Sequence, residues 1–79
     1  MADDNDAVSI SVAAARCGLS AKQLRYFEDR DYIHPQYISI GGIQQRRYSK
    51  ELVEILTNIA KHIREGYKLG VAVDLSREE

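Results

Sequence analysis

Lys22, Gln23, Arg25 and Tyr26 lie within five consecutive residues, and a second cluster, Gln45-Arg46-Arg47, follows further along the chain. Their side chains carry ammonium, amide, guanidinium and phenol groups, which are mainly hydrogen-bond donors. Donors of these types suit a polyanion with readable edges. Guanidinium and phenol groups bind phosphate oxygens, while lysine and glutamine can meet the edges of purines in a duplex. Catalytic chemistry has no comparable support. His34 and His62 share no metal-ligand spacing with Cys17 or with each other. Glu28, Asp29 and Asp31 sit close to Arg25 and Arg30, with which surface ion pairing is expected. Gly41-Gly42 does not precede a helix and so forms no phosphate cradle, and no nucleophile stands beside a base. Neither an enzyme nor a cofactor or metal site is expected.

The basic and aromatic cluster needs an element to present it. Ser20 is placed to cap a helix from Ala21 to about Arg30, in which Ala21, Leu24 and Phe27 form the apolar stripe. Lys22 and Tyr26 then fall opposite that stripe, with Gln23, Arg25 and Arg30 on its flanks. A tyrosine there has little core to pack on, but its hydroxyl can donate to a phosphate. Upstream, Ser11 is the expected cap of a short helix through Val12–Cys17, and Gly18 supplies a left-handed stop. Two short helices joined by a tight glycine turn have the spacing of a helix-turn-helix.

Downstream, Pro35 is expected to end the second helix, because proline disfavours helical backbone at the residue before it. Tyr37–Ile40 and Ile43–Tyr48 flank Gly41-Gly42 and read as a hairpin, which must lean on the helices to be stable. Ser49 opens the longest helix, Lys50 to Glu65, with apolar residues Leu52, Ile55, Leu56, Ile59 and Ile63 at helical spacing and Gly66 as its stop. Leu69 to Leu75 offers one or two further helical turns, against the propensities of Gly70 and the β-branched valines. The sum is a mostly α fold with a small β-hairpin: a disordered acidic tail over residues 1–8, one domain over 9–75, and a short tail over 76–79.

With 79 residues and one cysteine, the chain has room for one small core and no internal disulfide. Cys17, in an alanine-rich stretch, is expected to be a buried thiol. No stretch is long and apolar enough for a membrane span, and the acidic start is unlike a signal peptide, so a cytoplasmic, nucleoid-associated location is expected. The net charge of -1 is unevenly spread. Between Arg16 and Lys68 lie ten of the eleven basic residues and only six of the twelve acids, Glu28, Asp29, Asp31, Glu51, Glu54 and Glu65. A basic body between acidic ends is compatible with a polyanionic partner.

The order of these motifs resembles the MerR family of bacterial transcription regulators, whose DNA-binding domain is a winged helix-turn-helix. The resemblance runs from Ile10 to about Leu75. It rests on Ile10-Ser11-Val12-Ala13-Ala14, Gly18-Leu19-Ser20, Leu24-Arg25-Tyr26-Phe27-Glu28 with Tyr32-Ile33 and Pro35, Arg46-Arg47-Tyr48-Ser49, and Glu65-Gly66-Tyr67-Lys68-Leu69. Its opening and its end are similar to the heat-shock-repressor and nitrogen-regulator branches. The resemblance implies that Arg25 and Tyr26 contact phosphates and that Arg46, in the wing, grips flanking backbone. It also implies a homodimer, because family members continue into a dimerisation helix and often an effector domain. The chain is therefore expected to be a truncated module or a small stand-alone relative that pairs on DNA. Three departures are visible. The wing is longer than usual, Tyr37 replaces a common basic residue, and Gln44 and Gln45 stand where glycine and an aromatic are usual.

The expected partner is thus double-stranded DNA, bound by Ser20, Lys22, Gln23, Arg25, Tyr26, Gln45, Arg46 and Arg47, with no membrane involved. A protein-interaction module, or an excisionase-like architectural factor using Tyr26, Tyr37 and Ile38, is the alternative.

Overall fold

The computed structural model describes residues 7–78, so the expected disorder of Met1–Asp6 lies outside the described residues. The elements are α1 (Ile10–Cys17), α2 (Ala21–Asp29), β1 (Gln36–Ile40), β2 (Ile43–Arg47), α3 (Lys50–Arg64) and α4 (Leu69–Glu78). The fold is mostly helical with a two-stranded antiparallel hairpin, as the sequence predicts.

Helix α1 starts earlier than expected. Ser9, not Ser11, is its cap: the Ser9 carbonyl accepts from Ala13 N–H at 2.9 Å, and its Oγ faces Val12 N at 3.4 Å. Ser11 already lies inside the helix, where its hydroxyl reaches only to Ser9 Oγ. Gly18, at φ 78°, closes the helix as predicted, its N–H donating to the Ala14 carbonyl. The turn delivers the chain directly to Ser20 and α2.

Two boundaries differ from the sequence reading for identifiable reasons. Asp31, not Pro35, terminates α2: it takes the left-handed conformation at φ 66°, which lets Tyr32 N–H close back onto the Phe27 carbonyl at 2.9 Å. Aspartate is among the few residues that tolerate this conformation. Ordered pairing also begins before Ile10, because Val8 and Tyr48 exchange backbone hydrogen bonds of 2.9 and 2.8 Å at the base of the hairpin.

The hairpin register pairs Gln36 with Arg47, Tyr37 with Arg46, Ile38 with Gln45, Ser39 with Gln44 and Ile40 with Ile43. Gly41 and Gly42 both have positive φ, 57° and 81°, the backbone required by the two-residue turn whose twist matches the strands. Strand alternation puts Tyr37, Ser39, Gln44 and Arg46 on one face and Gln36, Ile38, Ile40, Ile43, Gln45 and Arg47 on the other.

Ser49 caps α3, accepting from Leu52 N at 3.1 Å. Leu56, Ile59, Ala60 and His62 are buried on this helix, whereas Leu52, Ile55 and Ile63 are only partly covered. α4 is a full ten-residue helix through Glu78, longer than the one or two turns expected, and it absorbs the anticipated tail at residues 76–78. Packing overrides propensity: Ala72, Val73 and Ser76 are buried, and Arg77 Nη2 donates to the Tyr32 carbonyl at 2.8 Å. The core joins Ala13, Ala14 and Cys17 of α1, Leu24 and Phe27 of α2, Ile33, Tyr48, Leu56, Ile59, Ala72 and Val73. Cys17 is buried as predicted, and burial pushes its thiol pKa up, away from thiolate chemistry.

Candidate nucleic-acid interface

The N-terminus of α2 is built by a reciprocal capping box. Ser20 Oγ accepts from Gln23 N at 3.0 Å, and Gln23 Oε1 accepts from Ser20 N at 2.9 Å. Two expected contact residues are therefore also structural. With one lone pair of Oε1 committed to the cap, Gln23 keeps both Nε2 donors, which can donate to a purine N7 or O6. The bond to Ser20 N also fixes the direction in which the Gln23 amide can present itself to a base edge.

Beyond the cap, α2 divides as its spacing requires. Leu24 and Phe27 are buried, and Lys22, Gln23, Arg25 and Tyr26 are exposed. Tyr26 is 49% exposed and meets Phe27 edge-on, with ring centroids 6.5 Å apart, so the ring is braced while the hydroxyl end stays accessible. Lys22 and Arg25 enter no ion pair among the described residues. These are cations available to a partner.

The hairpin arginines separate by face. Arg47 lies with Gln45 on the face away from Tyr37, and it lines a shallow pocket with Ala7, Gln36 and Ile38. Arg46 is half-buried, and its Nε donates to Glu28 Oε1 at 2.7 Å. Its guanidinium carbon stands 5.5 Å from the centre of the Tyr37 ring, a cation–π distance, and the Tyr37 hydroxyl donates to Glu28 Oε2. The ion pairing expected for Glu28 with Arg25 or Arg30 is thus corrected: its cationic partner is Arg46 of the hairpin. The helix alone offers nearby arginines, but the tertiary fold brings a guanidinium closer.

This cluster sets its own protonation. Partial burial pushes the Glu28 carboxyl up, but the hydrogen bonds from Arg46 and Tyr37 and the Arg46 charge outweigh it, so the pKa lies below the usual carboxylate value. The bond to Glu28 raises the Tyr37 phenol and the Arg46 guanidinium above their ordinary values. Beneath them, Tyr48 is fully buried and desolvation pushes its phenol up to about 12. Sequence reasoning missed Glu28 and Tyr37 as a pair. The glycine turn sets a register that puts Tyr37 opposite Arg46, a signal readable in principle, but nothing local indicates which helix residue the two would meet.

The profile of the MerR HTH family of regulatory proteins matches residues 8–79. This chain belongs to the MerR family. It is similar to the HTH-type transcriptional regulator TnrA of Bacillus subtilis (strain 168), at 35% identity over 77 residues, covering 96% of this chain and 67% of that protein. In this MerR-family domain, α1 and α2 form the helix-turn-helix and β1–β2 the wing. Family membership supports DNA as the partner. Among the described residues no helix is long and apolar enough to cross a membrane.

Proposed function

We propose that this MerR-family domain recognises a specific duplex-DNA sequence, with α2 in the major groove and the wing on the flanking backbone. The observation that carries the reading is the capped, exposed end of α2, where Lys22, Arg25 and Tyr26 face outward. Helix N-termini of this type enter the major groove in helix-turn-helix proteins. Lys22 and the Nε2 donors of Gln23 read base edges, Arg25 and Tyr26 hold phosphates, and Gln45, Arg46 and Arg47 serve the wing. The Ser20 side chain holds the cap. One copy covers a half-site, and two copies make a tight complex, paired on DNA or through a dimerisation segment outside this chain. Selection from a random duplex pool tests this: a recurrent motif with two-fold symmetry is expected, and recovery of unrelated sequences overturns it.

A second reading, a protein-interaction module, draws on Ile38, Ile40 and Ile43, which are 37, 48 and 65% exposed on one face of the wing. Gel-shift titration with mixed genomic DNA at two salt concentrations separates the two, since a protein-only module shifts at neither.

A further inference from the structure

We infer that Glu28 is a positioning residue for DNA binding, a single carboxylate that clamps both strands of the wing to the recognition helix and orients the Arg46 guanidinium. The inference rests on the reading that α2 and the wing together grip duplex DNA.

The wing has little else to hold it. All five residues of β1 are exposed, and in β2 only Arg46 and Arg47 are partly covered, so no buried apolar face anchors the hairpin. A two-stranded hairpin alone is marginal in water. The Val8–Tyr48 bridge fixes the base of the wing. Above it, Glu28 supplies one oxygen to each strand: Oε2 to the Tyr37 hydroxyl on β1 and Oε1 to Arg46 Nε on β2. Tyr37 and Arg46 are register partners, so the carboxylate grips the hairpin across its width. Because Nε is taken and the guanidinium lies over the Tyr37 ring, the Nη edge of Arg46 is held in one orientation. A guanidinium so braced loses less freedom when it meets a phosphate.

The sign of one substitution separates this role from that of an ordinary surface acid. Neutralising an acid that merely sits near a polyanion strengthens binding. Neutralising the clamp weakens it, because the wing loses its fixed direction. The test compares the wild-type chain with Glu28→Gln, Glu28→Ala, Tyr37→Phe and the neighbouring control Asp29→Asn, on a duplex selected from a random pool by the wild-type chain. Expected results are a loss of several-fold in affinity for the Glu28 and Tyr37 variants and equal or tighter binding for Asp29→Asn. Ethylation interference is expected to lose the phosphates at the flank while those along α2 persist. Melting midpoints move by only a few degrees, as befits a half-exposed ion pair. Tighter binding by Glu28→Gln with the full footprint overturns the clamp while leaving DNA recognition standing. A wild-type chain that selects no duplex overturns the underlying reading and the clamp with it.

Discussion

Gln23 holds the cap of α2 and, in the proposed reading, also meets a base edge. Its Oε1 accepts from Ser20 N, which restricts how the amide can turn toward a base edge. Lys22, exposed one residue earlier, has no such commitment, while in the proposed reading Arg25 and Tyr26 meet phosphates rather than bases. Replacing Lys22 with alanine is therefore expected to flatten base preference by roughly 1 to 3 kcal/mol at the position it reads. Arg25→Ala should weaken all sequences alike and lower the salt slope by about one. Competition binding on a matched and a mismatched duplex distinguishes these effects. If both variants behave identically, the division between reading and gripping is wrong. Glu28 adds a pH dependence at the same scale. Its folded pKa lies below the usual carboxylate value, so the stability it contributes is present above that value and is lost as pH falls through the depressed folded pKa. Thermal midpoints recorded across the acid range should fall more steeply for wild type than for Glu28→Gln.

At the scale of elements, the wing turn and α4 carry the clearest consequences. Gly41 and Gly42 are both left-handed, and a turn of this kind accepts asparagine at its first position but penalises β-branched side chains. Gly41→Asn should preserve the register, whereas Gly42→Val should loosen it, seen as faster amide exchange along β1 and β2. Helix α4 shows how packing can outweigh propensity. Gly70 and two valines argue against a helix, yet burial of Ala72 and Val73 on the core and the Arg77 bond to the Tyr32 carbonyl hold ten residues in place. Removing residues 69–79 uncovers that core and should abolish cooperative thermal unfolding, measured by circular dichroism. Loss of only a few degrees would mean that α4 is an accessory.

For the whole molecule, the net charge of -1 hides a basic middle. Affinity for DNA should drop steeply with salt, because phosphate neutralisation releases counterions. Doubling a half-site into a symmetric site should convert weak binding into a cooperative two-step shift in gel titration. Equal affinity for single and paired half-sites would argue against assembly of two copies.

Much of this was legible in one dimension because its causes are local. Gly18 before Ser20, the Leu24 and Phe27 spacing, the glycine turn and Ser49 each determine backbone or burial through neighbours a few residues away. So the helix-turn-helix, the hairpin, the long helix and the outward set Lys22, Gln23, Arg25 and Tyr26 could be read directly. Other features needed the fold. Ser9 replaced Ser11 as cap because Ile10 was already helical, and α4 formed because α3 and the core were there to cover it. The meeting of Glu28 with Tyr37 and Arg46 was decided in three dimensions alone, since an ion pair depends on distance in space and those residues are separated in sequence by a turn, a loop and a strand.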